Sequence, residues 1–189
     1  VALASRGTVA GATSGGAANL SGAGLAISGN LVVDATGDIA IAAAQPLSAA
    51  GNADFTAGRT FTSTGLVSAG ADLAVQAPLG IDAERLASGG TTSLSATLGA
   101  LVVSSDLAAA GNVTALARSI DIASAGALAF ADLDATAGPL SVVTAGDLDL
   151  ATANATGAVT LRSTGGALAA TGSGMAGGNI VAEGRGGGT

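Results

Sequence analysis

The chain has no Cys, His, Lys, Trp or Tyr, and only 3 Phe among 189 residues. Each absence removes a class of chemistry. Without Cys there are no disulfides and no thiolate metal ligands. Without His there is no imidazole ligand and no Ser-His-Asp triad, and without Lys there is no amine base. The shortage of aromatic rings also removes the usual anchors of a globular core, since these side chains bury the largest areas. Any interior must be narrow and filled by Leu, Ile, Val and Ala. Charged residues are scarce too, at 10%, with a net charge of −7 and an isoelectric point near 4.1. The 6 basic residues are scattered arginines. They form no patch to neutralise phosphates, so nucleic acid is not an expected partner.

Disorder would be one reading of 31 Gly and abundant Ser. The 49% hydrophobic content and mean hydropathy of +0.61 argue against it, because disordered chains are poor in apolar residues and rich in charge. The longest uncharged run, Gly7 to Val33, is broken throughout by Gly, Ser, Thr and Asn. A membrane span needs roughly 20 mostly apolar residues, so no membrane insertion is expected. The chain starts at Val1 and shows no basic segment before an apolar core. Either such a segment has been removed or the chain is an internal fragment; the expected organisation is one β-solenoid segment over residues 1–189, cut from a longer repeat array, with a flexible Gly-rich tail over 183–189.

What is present is a repeat. Leu-x-x-x-Gly occurs at Leu25–Gly29, Leu47–Gly51, Leu66–Gly70, Leu86–Gly90 and Leu107–Gly111. Units started at the closing glycine begin at Gly7, Gly29, Gly51, Gly70, Gly90, Gly111, Gly138, Gly157 and Gly178. They are 19 to 22 residues long, except for one of 27 in which GALAFAD, Gly126 to Asp132, reads as an insertion. A fixed period of this size must be settled before any other structural reading. Within a unit, a first alternating segment follows the glycine: GNLVVDA, GADLAVQA, GNVTALA, GPLSVVTA and GAVTLRS. A second comes after a short break: DIAIAA, TFTST, GIDAE, ALVVSS, SIDIAS and DLDLAT. Leu-x-x-x-Gly itself is the third.

Alternation over about five residues marks a strand with one buried face. Ala-rich helix is excluded by the period of two and by the frequent glycines, each costing roughly 1 kcal/mol in a helix. Three short strands in about 20 residues cannot bury anything alone. Wound into one coil and paired in parallel with the next coil, about 4.8 Å away, they can. The expected fold is thus all-β: a right-handed parallel β-helix, the hand following the preference of parallel crossovers. One inward column is expected to run Leu25, Leu47, Leu66, Leu86, Leu107 and Leu133, with Met175 near its end. A second is expected through Ile39 and Ile41, Phe61, Ile81, Leu101 and Val103, Ile120 and Ile122, then Leu148 and Leu150. The irregular point is expected between Gly126 and Gly138, with the Leu column thinning beyond it.

Units such as GNLVVDATGDIAIAA, GNVTALARSIDIASAG and GDLDLATANATGAVTLRSTGG resemble the degenerate repeats of filamentous haemagglutinin-type exoproteins of Gram-negative bacteria. The likeness covers about Gly7 to Ala182. It implies the shaft of a large two-partner-secretion adhesin, secreted or held at the cell surface. The family's secretion domain, with its Asn-Pro-Asn-Gly motif, is not in this sequence.

No catalytic, cofactor-binding or metal site is expected. Paired carboxylates could serve a polysaccharide-acting enzyme if they stood about 5 to 9.5 Å apart. The candidates are Asp82, Glu84, Asp121, Asp147 and Asp149, with Asp121 and Asp149 expected on neighbouring coils. They read more simply as a solvated acidic stripe. The Gly-Gly-x-Gly-x-Asp nonapeptide of calcium β-rolls is missing, since GSGMAGGN (Gly172 to Asn179) has no Asp. Gly165-Gly166 and Gly177-Gly178 read as turns where positive φ is cheap, and Asn30, Asn52, Asn112 and Asn179 fit the same account. A Thr face formed by Thr60, Thr62 and Thr64 is expected to break at Asp82 and Glu84. The expected function is a structural shaft; alternatives are a filament subunit stacking end to end and a β-helix enzyme. Expected partners are neighbouring coils or subunits along the axis, and a host or cell-surface receptor bound through regions outside this chain. Uncapped ends are expected at the units that begin at Gly7 and Gly178.

Overall fold

The computed structural model describes residues 9–13, 16–22, 25–43 and 46–185. Gly7 lies outside the described residues. All regular structure among the described residues is β. Twenty strands form one continuous sheet wound into a right-handed parallel β-helix of about 8 turns. The first coil holds β1 (Val9–Thr13), β2 (Ala18–Gly22) and β3 (Leu25–Ile27), and the second β4 (Leu31–Ala35), β5 (Ile39–Ala43) and β6 (Leu47–Ala49). Then come β7 (Ala53–Ala57), β8 (Thr60–Ala69), β9 (Leu73–Gln76), β10 (Gly80–Ser88), β11 (Thr92–Ala109) and β12 (Val113–Ser124). The C-terminal part holds β13 (Leu128–Ala135), β14 (Leu140–Thr144), β15 (Leu148–Leu150) and β16 (Ala153–Ala155). It closes with β17 (Val159–Ser163), β18 (Leu168–Ala170), β19 (Gly174–Ala176) and β20 (Ile180–Gly184).

The alternation that marks the strands also selects their inward faces. In β4, Leu31, Val33 and Ala35 are buried and Asp34 is exposed. The second side carries the expected column: Ile39 pairs with Phe61, Phe61 with Ile81, Ile81 with Leu101 and Leu101 with Ile120. All five are buried, each worth about 1.5–3 kcal/mol by transfer. Two of the three aromatic rings meet inside the third coil, where Phe55 and Phe61 pack edge to face with centroids 5.3 Å apart. That geometry suits the ring quadrupoles.

Several register expectations are corrected. The second-side column continues from Ile120 through Leu140, Val159 and Ile180, not through Leu148 and Leu150. GPLSVVTA and GAVTLRS therefore belong to the second side and DLDLAT to the third. No insertion exists: second-side positions recur every 19 to 22 residues throughout, from Ile39 to Ile180. The 27-residue spacing from Gly111 to Gly138 joins two different places in the coil, since Gly138 precedes a second-side strand and Gly111 a first-side strand.

The Leu column is corrected in the same way. Leu47 pairs with Val67, and Val67 with Leu86, so Leu66 stands one place off, half-buried beside Arg85. Leu133 lies on the first side between Ala115 and Ala153. Met175 is exposed next to Asn154. Beyond Leu107 the column does not thin; Leu128, Leu148 and Leu168 form a new one.

This handover falls in the expected interval. β13 runs from the third side straight into the first, and its pairing with β12 skips Ala131, between Phe130 against Val113 and Asp132 against Thr114. Two further shifts lie upstream, at Glu84 and between Ala96 and Ala100. There β8, β10, β11 and β12 pass corners without leaving the sheet, so the third segment is no isolated short strand. In the C-terminal half the corner after the second side is made by inward hydroxyls. Thr144 Oγ1 donates to Gly146 O at 2.9 Å and Ser163 Oγ to the same carbonyl at 2.7 Å. Of the expected tail, Glu183 and Gly184 belong to β20, and 186–189 lie outside the described residues.

Candidate functional site

The corners hold the chemistry that sequence reading missed. Asn30 Oδ1 accepts the backbone N–H of Asn52 at 2.9 Å, Asn52 Oδ1 that of Asp72 at 3.3 Å, and Asp72 Oδ1 that of Thr91 at 2.8 Å. Each bond crosses from one coil to the next. Asp38 to Thr60 (3.1 Å), Asp106 to Ala125 (2.8 Å) and Asp147 to Ala167 (2.8 Å) repeat the device at other corners. Thr60 and Thr91 add hydroxyl donors to the same carboxylates, at 2.7 and 2.9 Å. The side-chain oxygens thus satisfy turn N–H groups that the sheet ladder leaves free.

Glycine makes this possible by leaving space. A Cβ on Gly51 would run into Asn30 Oδ1, one on Gly90 into Asp72 Oδ1, and one on Gly166 into Asp147 Oδ1. The residue after each of these glycines donates the N–H. This corrects the positive-φ account of the Gly-Asn pairs and of Gly165-Gly166 and Gly177-Gly178. Among the described residues the positive-φ positions are Gly65 and Gly80, and no Asn has one. Gly directly precedes four of the bridging residues, Asn30, Asp38, Asn52 and Asp147, a partial signal in the sequence, whereas Ala71 precedes Asp72 and Ser105 precedes Asp106.

The bonds act on ionisation. The hydroxyl of Thr60, its backbone N–H and the nearby Arg59 hold the Asp38 carboxyl below its ordinary value, against desolvation. The backbone N–H and hydroxyl of Thr91 do the same for Asp72. Arg59 lies 3.7 Å from Asp38. Arg85–Glu84 (3.7 Å) and Arg162–Glu183 (3.2 Å) are the other ion pairs among the described residues.

The structure does not bring Asp121 and Asp149 together. Asp121 lies between Val102 and Ser141 on the second side, whereas Asp149 lies between Ala129 and Ala169 on the third. The expected adjacency does not hold, because DLDLAT lies on the third side rather than the second. Asp147 is occupied by Ala167, Glu84 faces Arg85, and Asp82 has Thr62 and Val102 beside it. The Thr face breaks at Asp82 as expected, while Glu84 falls at the bulge. Among the described residues no three metal-ligating side chains cluster, and no helix is long and apolar enough to cross a membrane.

The fold defines a parallel β-solenoid in which Asx and Thr side chains at the corners join adjacent coils. No protein-family model, curated protein or solved structure matches the chain.

Proposed function

We propose that this chain is a non-catalytic shaft segment of a secreted or cell-surface, adhesin-like exoprotein. The observation that carries the reading is the axial continuity of its bonds. Parallel ladders join coil to coil on three sides, and Asx and Thr side chains bridge the coils at the corners. A rod bonded in this way resists bending and holds other domains at a distance. The resemblance of its repeat units to filamentous haemagglutinin-type exoproteins supplies the adhesin part. Receptor binding then falls to regions outside this chain. The polysaccharide-enzyme alternative loses its motivating carboxylate pair. It would be revived if the protein degraded a polysaccharide and Asp149→Ala abolished that activity.

A second reading is a subunit stacking end to end: Met175 (74% exposed), Ile180 (63%) and Val181 (46%), beside a cavity of about 220 Å³ lined by Leu150, Val159 and Leu161, are side chains that a further coil would cover, whether of the same chain or of a second copy. Chain length and particle shape in the native source separate the two. A chain of roughly a thousand residues or more, forming a rod that lengthens by about 4.8 Å per coil, fits the shaft. A short chain recovered in fibres fits stacking, and a compact particle overturns both.

A further inference from the structure

We propose that Asn112 is an acceptor for N-linked glycosylation. Asn112-Val113-Thr114 is an Asn-x-Thr sequence. Val113 is fully buried as the first residue of β12, so alternation turns Asn112 and Thr114 outward together, and both are exposed. Asn154-Ala155-Thr156 repeats this arrangement, with Ala155 buried and Thr156 exposed, and Asn19-Leu20-Ser21 has the same sequence pattern with Asn19 exposed.

Among the described residues no hydrogen bond engages the side chains of these asparagines; Asn179 shares this, but Ile180-Val181 follows it and no acceptor sequence is formed. Asn30 and Asn52, which are not followed by x-Ser/Thr, have their Oδ1 atoms committed to the next coil. Among the described residues none donates to or accepts from the side chain of Asn112. The coil above it has passed into β13 and skips a register position at Ala131, so no turn N–H is set over Asn112. The neighbouring outer face is also short of charge: Ala74, Ser93 and Thr114 follow one another between Asp54 and Asp132. A sugar there would hydrate a surface that carries few charges to keep it soluble.

In the reaction the Asn112 Nδ2 attacks the anomeric carbon of a glycosyl phosphate donor held by a separate transferase. The C–N bond forms and the carbon–oxygen bond to phosphate breaks. The phosphate ester leaves with the electron pair, and one amide proton passes to the transferase's base. Nothing is oxidised or reduced. The inference holds equally for a shaft and for a filament subunit.

Peptide mass mapping of the protein purified from its native source tests it. The expected result is sugar on the Asn112 peptide and none on the Asn30 and Asn52 peptides. One hexose marks a nucleotide-sugar donor, and an oligosaccharide block marks a lipid-linked donor. Asn112→Gln and Thr114→Ala should each remove that mass, Thr114→Ser should keep it, and none should alter the circular-dichroism spectrum. An unmodified Asn112 peptide in the native protein overturns the proposal, as does sugar retained in Thr114→Ala.

Discussion

The carboxylate of Asp106 accepts the backbone N–H of Ala125 at 2.8 Å, at the point where the solenoid changes corners. A Cβ on Gly126 would meet no atom within 4 Å, so the turn it belongs to projects beyond the coil beneath. Asp106 ties that projection down. Asp106→Ala should lower stability by about 0.5–1.5 kcal/mol, the usual net worth of one hydrogen bond. Asp106→Asn keeps an acceptor and should lose less. Urea midpoints for the three proteins, at unchanged m-values, check this.

The third-side register makes a sharp contrast between adjacent residues. Val67 is fully buried between Leu47 and Leu86, while Leu66 is half-buried. Val67→Asp should unfold the chain or cost several kcal/mol, because it buries an unpaired charge. Leu66→Asp should cost about 1 kcal/mol or less, as surface changes usually do. Leu86→Asp should behave like Val67→Asp. Thermal unfolding of the three variants reads the order directly, and equal effects at 66 and 67 would contradict the register.

Acid should weaken the corners before it touches the core. The Asp38 and Asp72 carboxyls are held below the ordinary value of 3.8 by the bonds from Thr60 and Thr91. A carboxyl depressed on folding contributes stability above its unfolded pKa. It loses that contribution as pH falls through the folded one. The stability gap between the native chain and Asp72→Asn should therefore be constant above about pH 5, and it should close below 3.8. Chemical unfolding at a series of pH values measures it. A gap that widened in acid would rule the linkage out.

The architecture was legible because its cause is local. Period-two alternation in segments such as Ile39–Ala43 and Ser119–Ser124 fixes the inward face, and a 20-residue period leaves only stacked coils to bury it. Register was less legible. Leu66-Val67 offers two apolar residues side by side, and the bulge at Glu84 decides between them through pairing with the next coil. The C-terminal half misled for a related reason. Ser124-Ala-Gly126 and Thr144-Ala-Gly146 resemble the Ala109-Ala-Gly111 turn in sequence, yet they turn the chain at a different corner. The Asx bridges were hidden because donor and acceptor lie 19 to 22 residues apart, as between Asp38 and Thr60 or Asp72 and Thr91.

Ser63 offers the last test, since its native side chain works against its surroundings. It is 4% exposed, and its Oγ has no hydrogen-bond partner. Its ladder neighbours are Ile41 on one side and Ala83 on the other, both apolar. A buried hydroxyl left unpaired costs about 1–3 kcal/mol, whereas a methyl in its place has nothing to satisfy. Ala83 already fills the equivalent place one coil on, so alanine fits the space. Ser63→Ala should therefore raise the urea midpoint, by the equivalent of about 1 kcal/mol. Ser88→Ala should move it the opposite way, because Ser88 Oγ bonds Thr92 Oγ1 at 2.7 Å and Gly90 O at 3.0 Å. Matching signs for the two variants would show that the inward hydroxyls are not distinguished by their partners.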